Sequence, residues 1–373
     1  MPDEARLPSL TQSANDLLPA MVDAVEALVT VESPSEDLEA CAAVAAEAVG
    51  IFEGWVPEPA RVEEHGGRPV WRWGPDQPRV LLLGHLDTVW PIGSLARLPF
   101  THDGSRVTGP GCFDMKAGVV QGWAAIALLG LTEADGVGML LTTDEEIGSG
   151  CSRDVLASAS ARAEAVYVLE PSVDGALKTA RKGTSWYTLD FAGRAAHAGL
   201  DPEKGINALQ SAAELALACS TWADPEEGTT ITPTLLDAGT TSNTVPAHAS
   251  LTVDVRAWTA AEQQRVDAAF RAWSATNGAP LAIRGGIDRP ALEAASSAAL
   301  FARAQAAAQD LGLPELQGRA VGGASDGNLT AAQGHPTLDG LGAVGDGAHA
   351  DHEWVSIPAM AERAALLARL LRM

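Results

Sequence analysis

Between positions 17 and 29 the apolar residues Leu17, Leu18, Met21, Val22, Val25, Leu28 and Val29 recur every three or four places, giving a helix one apolar face. A second helix is expected over Ser35 to Phe52. The pattern then changes character. Arg79-Val-Leu-Leu-Leu-Gly84 is a short, unbroken apolar run, as expected of a strand covered on both faces. Residues 117–130 read as a buried helix, and Gly138 to Thr143 and Ala165 to Leu169 as further core strands. A strand, a polar loop, a helix and another strand in this order form an α/β sheet with its chemistry at the strand ends.

From Lys182 the side chains alternate instead. Thr184-Ser-Trp-Tyr-Thr-Leu-Asp-Phe191 has the period of a half-exposed antiparallel strand. Thr229 to Leu236, Ala249 to Val255 and Leu281 to Ile287 are expected strands, with helices over Gly205 to Ser220 and Ala260 to Trp273. This order predicts a compact α+β domain, residues 182–288, inserted into an α/β domain made of residues 1–181 and 289–373. Helix and strand alternate again after Arg289-Pro290, ending in an amphipathic helix over Ile357 to Leu371.

The chain has 373 residues with 25 Lys+Arg against 48 Asp+Glu, a formal net charge of −23. Such an acid excess opposes binding to a phosphate backbone, so a nucleic-acid partner is not expected. Cys41, Cys112, Cys151 and Cys219 show no short paired spacing, which points to reduced thiols and a cytoplasmic address. The first six residues lack the basic and apolar regions of a secretory signal. Residues 117–131, a long apolar stretch, contain Gln121 and three glycines, so nothing long or dry enough to span a membrane is expected.

The chemistry sits where the apolar runs end. His85 and Asp87 lie two apart just past a strand, so in extended backbone both point the same way, as a metal-binding histidine and its carboxylate partner would; alone, the pair is more often a structural hydrogen bond. Asp114, among the glycines of Gly109-Pro-Gly-Cys-Phe-Asp-Met-Lys-Ala-Gly118, reads by itself as a helix N-cap in a turn. Asp144, Glu145 and Glu146 are successive carboxylates that repel one another unless solvated or compensated by a cation. Glu170 ends a fourth apolar run, where a charge is costly to bury unpaired. His349 lies in Gly347-Ala-His-Ala-Asp-His-Glu353, with His352 as a competitor. Two histidines and three carboxylates at strand ends and in glycine-rich loops are the donor set of a two-metal hydrolytic site.

The strings Gly84-His-Leu-Asp87, Asp114-Met-Lys116, Asp144-Glu-Glu-Ile-Gly148, Leu169-Glu-Pro171, Ala196-His-Ala-Gly199, Ser242-Asn-Thr-Val-Pro246 and Asp254-Val-Arg256 occur in the order seen in the co-catalytic zinc metallopeptidases. The chain resembles that family, which includes glutamate carboxypeptidase of the carboxypeptidase G type, aminoacylase, acetylornithine deacetylase and succinyl-diaminopimelate desuccinylase. Leu169-Glu-Pro171 and Arg289-Pro-Ala291 make it most similar to the carboxypeptidase G branch. The resemblance implies an α/β catalytic domain with a mixed central sheet flanked by helices, and an inserted ferredoxin-like α+β domain serving as lid and dimerisation surface.

It also implies two zinc ions, with cobalt or manganese as substitutes. His85 and Glu170 would hold one, Glu146 and His349 the other, with Asp114 between them and a cis bond at Asp114-Met115. Glu145 would be the general base, Asp87 the partner of His85, and His197 an oxyanion donor reaching across a dimer. Arg256 would pair with the substrate carboxylate with help from Asn243, and Arg289 would hold a second acidic group. Two departures are Cys112, where relatives carry a small or apolar residue, and Ala117, where glycine is common; Cys112 reads as a core thiol. The expected activity is cleavage of an N-acyl or peptidyl amide with release of glutamate; an N-acyl amino acid deacylase and a non-catalytic binding protein on the same scaffold are the alternatives.

Overall fold

The structure, a computed structural model, describes residues 7–372. The six N-terminal residues, read above for a secretory signal, lie outside the described residues. The chain forms two compact units, one made of residues up to Ala180 with Ala294–Val321 and the segment from Ser325, the other of Arg181–Glu293 with Gly322–Ala324.

The first unit is built on a six-stranded mixed sheet. Its order is Arg61–His65, Arg68–Trp73, Val137–Thr142, Val80–His85, Ala165–Val168, Thr337–Leu338. Val80–His85 runs parallel to both of its neighbours, and Arg68–Trp73 is antiparallel to Val137–Thr142. The three apolar runs read from the sequence are therefore central strands. Alternate residues go to opposite faces: Val80, Leu82, Met139, Leu141 and Tyr167 join the large core, and Leu81, Leu83, Leu140, Val166 and Val168 the smaller one. The helices Leu18–Thr30, Leu38–Glu53, Ala117–Leu129 and Ile357–Leu371 contribute to the first core, Arg153–Ser160 and Asp326–Ala332 to the second.

By length and composition alone Cys112–Leu129 could cross a membrane, which the sequence reading did not allow for. It is nevertheless 78% buried inside the protein, and its backbone departs from helical at Asp114 and Met115. The segment is thus the central core helix of a sheet covered on both faces.

The hairpin Arg61–His65 and Arg68–Trp73 has no counterpart in the sequence reading. Gly66 and Gly67 at its turn have φ of 60° and 82°, the left-handed pair that a two-residue hairpin loop needs. His65-Gly-Gly-Arg68 was thus a usable signal. Trp71 and Trp73 from this strand and Trp123 surround Phe52, with ring centroids 5.1, 5.7 and 5.9 Å from it. A small four-stranded sheet, in the order Gly345–Asp346, Trp354–Ser356, Arg106–Thr108, Thr101–His102, was also unread, since its strands have at most three residues.

The second unit is a four-stranded antiparallel sheet in the order Thr230–Ala238, His248–Ala257, Gly183–Ala192, Leu281–Arg289. Helices Ala208–Trp222 and Ala260–Ala272 close its core with Leu215, Val266 and Phe270 against Tyr187, Leu189, Leu251 and Val253. Strand, helix, two strands, helix, strand gives the split β-α-β arrangement.

Candidate metal centre and its surroundings

Three parallel central strands of the first unit release their functional residues at the same end of the sheet. Val80–His85 ends in His85, Val137–Thr142 leads into Glu145 and Glu146, and Ala165–Val168 is followed two residues on by Glu170. Asp114 lies between Gly111, with φ of 74°, and the helix Ala117–Leu129, and the peptide bond to Met115 is cis. His349 comes from a loop and has φ of 62°, a strained backbone for a residue with a side chain.

Around Asp114 these groups converge. His85 Nε2 is 3.4 Å from Asp114 Oδ1 and 3.7 Å from Glu170 Oε1. On the other side, His349 Nε2 is 3.5 Å from Asp114 Oδ2 and 3.2 Å from Glu146 Oε1. The two oxygens of one carboxylate thus face two different His-carboxylate pairs. His85, Asp114 and Glu146, and likewise His85, Glu145 and Glu170, bring ligand atoms within 4.8 Å of one another. Among the described residues His85 Nε2 and Asp114 Oδ1 are buried with no hydrogen-bond partner. Two such atoms would be costly without a ligand between them, so the donor set fits divalent cations.

The charges in the site act on one another strongly. Burial works against a protonated His85, yet its contacts with Asp114, Asp87 and Glu170 outweigh it and raise the pKa well above the ordinary value. His349 is pushed up to about 10 by Asp114 and Glu146. Burial opposes ionisation of Asp114, but the two histidines hold its carboxyl well below the usual range. Glu146 is shifted upward, by burial first and then by Asp114.

A layer of contacts fixes the ligands. His85 Nδ1 meets the Asp87 carbonyl at 3.0 Å, nearer than the Asp87 carboxylate at 3.4 Å. That carboxylate is fully buried and accepts the Ser35 hydroxyl at 2.7 Å and the Glu146 and Glu145 backbone N–H groups at 3.2 and 3.4 Å. Asp87 therefore ties the His85 strand end to the acidic turn. Asp144 faces inward, accepting the N–H groups of Cys151 and Ser152 and the Ser152 hydroxyl, which accounts for one of the three adjacent carboxylates. Glu145 is only 7% exposed.

Lys178 was not read from the sequence. Its Nζ lies 3.5 Å from Glu170 Oε2, a buried cation offsetting part of the carboxylate charge, and no motif pointed to it. A cavity of about 650 Å³ is lined by Asp114, Phe113, Ser172, Lys178, Asp346 and His352. His352 is thus near the centre, but the contacts to Asp114 and Glu146 come from His349. Cys112 is buried and its thiol is pushed up, burial being the first cause and Glu353 the second.

The remaining candidates belong to the second unit. His197 bridges Thr244, next to Asn243, and the Ala198 N–H donates to the Asn243 carbonyl at 2.9 Å. Gly199 N–H donates to His197 Nδ1 at 3.1 Å, so in the neutral ring the proton sits on Nε2. Arg256 and Arg289 are both in register with Thr184, which sets the two arginines in one row across the sheet. Arg256 is held by Asp254, with Nε–Oδ1 at 2.9 Å and Nη2–Oδ2 at 2.8 Å; Arg289 is buried.

Residues 81–373 match the family model described as peptidase family M20/M25/M40. The chain is 31% identical over 386 aligned residues to carboxypeptidase G2 of Pseudomonas sp. (strain RS-16), covering 97% of this chain and 91% of that one. A shorter stretch of 74 residues is 42% identical to one of the chains of the p-aminobenzoyl-glutamate hydrolase of Escherichia coli (strain K12), covering 20% of this chain and 17% of that one. In fold it is similar to an M20 family metallo-carboxypeptidase from Sulfolobus solfataricus, with a TM-score of 0.71 at 16% identity over 94% of this chain and 98% of that one. Histidines from a strand end and a loop with carboxylates around a shared Asp114, a family model over most of the chain and a full-length relative agree: this protein belongs to the M20/M25/M40 peptidase family and is a hydrolase of the amide bonds of acyl or peptidyl amino acids.

Proposed function

We propose that the protein is a dizinc hydrolase that releases a C-terminal glutamate from an N-acyl or peptidyl amide. The observation that carries the two-ion reading is Asp114, whose two carboxylate oxygens each face a histidine at 3.4 and 3.5 Å. His85 and Glu170 would hold one ion, Glu146 and His349 the other, and Asp114 both. Imidazole and carboxylate ligands suit zinc, and cobalt and manganese accept the same donors. Ions held there would supply a water of lowered pKa, towards about 7, and a Lewis acid for the scissile carbonyl.

Glu145 is the proposed base: its buried carboxylate takes the proton of the attacking water and passes it to the leaving amine. Asp87 holds Glu145 and Glu146 through their backbone N–H groups. His197, with Nε2–H free to donate, is the proposed partner of the developing oxyanion.

Glutamate is favoured by two features. The Escherichia coli relative is by its name a hydrolase of a glutamate conjugate. The row of Arg256 and Arg289 also offers two guanidinium groups, suited to a dicarboxylate, with Asn243 beside His197 as a further donor. The proposed assembly is a homodimer through the second unit, in the cytoplasm, where the four free cysteines stay reduced. Initial rates of the zinc-loaded protein on N-acyl L-amino acids carrying Glu, Asp, Leu, Met or Arg test the substrate. A strong preference for Glu is expected; preference for Leu or Met would move the protein to the deacylase reading.

A further inference from the structure

Glu353 is neither a proposed ligand nor the proposed base, yet it is 3% exposed and its carboxylate faces the loop that carries Asp114. Oε1 accepts the N–H groups of Phe113 at 2.8 Å and Asp114 at 3.1 Å. Oε2 accepts the Gly111 N–H at 2.9 Å and the Trp90 indole N–H at 3.0 Å. Each oxygen therefore takes two donors, and three of the four come from the backbone of one short loop. Hydrogen bonds to an ionised acceptor are about twice as strong as neutral ones, so this is a strong polar attachment of the loop, beside the Lys116 ammonium that donates to the Leu28 and Val31 carbonyls.

The loop cannot be placed loosely. Asp114 must present one oxygen to the His85 side and the other to the His349 side, and a site of this kind tolerates displacements of only about 0.5 Å. Glu353 is itself anchored, because Trp354–Ser356 pairs with Arg106–Thr108 and the Glu353 N–H donates to the Ala350 carbonyl at 3.0 Å. It also lies four positions beyond His349, so one segment supplies a ligand and grips the loop of the shared one.

We infer that Glu353 is a positioning residue: by gathering the N–H groups of Gly111, Phe113 and Asp114 with the Trp90 indole, it sets the Asp114 carboxylate where it can serve two metal ions at once. This inference rests on the two-ion reading above. Removing a group that orients a ligand typically weakens metal binding about 10- to 100-fold.

The test is titration of the chelator-treated full chain with cobalt, followed by calorimetry and visible absorption. Wild type should bind two ions; if it binds fewer, the two-ion reading falls and this inference with it. Glu353→Gln keeps the size but turns an amide NH₂ towards two of the four donors. It should bind the second cobalt about 10- to 100-fold more weakly, and at saturation its absorption should differ from wild type, which a purely structural role would leave unmoved. A folded Glu353→Gln chain with wild-type affinity and spectrum overturns the assignment while leaving the two-ion reading intact. Should that variant not fold, Trp90→Phe decides: it removes one donor and should shift affinity and spectrum in the same direction, and unchanged values would reject the assignment.

Discussion

At the scale of single residues, Glu145 and its neighbour Glu146 divide the work of the acidic turn. Glu146 Oε1 contacts His349, a proposed ligand, whereas Glu145 is buried on the same turn, with its N–H tied to Asp87. The base reading predicts that Glu145→Gln keeps two metals per chain, measured by elemental analysis, and lowers kcat by about 100- to 10,000-fold. Near wild-type turnover in the metal-loaded variant would remove Glu145 from that role. These residues were legible because each stands where an apolar strand ends, and because several such places recur in order. Lys178 and Glu353 were not, because each acts on a partner distant in sequence or unmarked by any motif, Glu353 on a loop some 240 residues away. The Asp87 carboxylate was only half legible. Spacing placed it beside His85, but its grip on the acidic turn depends on a sheet pairing that no local pattern encodes.

Among the elements, those that announced themselves are the ones buried on both faces or amphipathic over many turns. The three central strands are continuous apolar runs, and Ile357–Leu371 has the extent read from its periodicity. The short strands near Thr108 and Trp354 carry too few residues for a period to show. The helix Ala260–Ala272 offers a test of how such an element is held. Its N-terminal Thr259 accepts the Glu262 N–H at 3.1 Å, and Glu262 binds Arg265 at 2.7 Å and the Thr229 hydroxyl at 2.7 Å. Arg265 first, and Thr229 with it, hold the Glu262 carboxyl down to about 2 against an ordinary 4.5. The unfolded chain takes up this proton near 4.5 and the folded one only near 2, so below 4.5 the unfolded state binds more protons. The stabilisation is therefore complete above 4.5 and lost as pH falls towards 2. Glu262→Gln should melt below wild type at about pH 7, and the gap should narrow steadily towards about pH 3. A gap that stays constant over that range would mean the ion pair contributes nothing.

For the whole molecule, the question is whether one chain makes a complete site. In the second unit Thr230–Ala238 is an edge strand, paired among the described residues with His248–Ala257 alone, and Leu235 and Leu236 on it are 69% and 47% exposed. A free edge carrying exposed leucines is a template for another chain unless something covers it. A second copy is the proposed cover, in which case a twofold arrangement places each second unit against its partner. His197 is exposed on that unit, with its donating Nε2 not engaged by its own loop's Gly199, and the proposed catalytic base belongs to the other unit. If the site is shared within a dimer, His197→Ala and Glu145→Ala chains, each inactive alone, must complement one another. After full exchange at equal concentrations, half the dimers are mixed and one of their two sites is intact, so about a quarter of the wild-type rate should return. Complementation fails if each chain uses its own His197, because every site then lacks either the donor or the base. Exchange is checked separately with differently tagged chains, and an exchanged mixture that stays inactive would confine the site to a single chain.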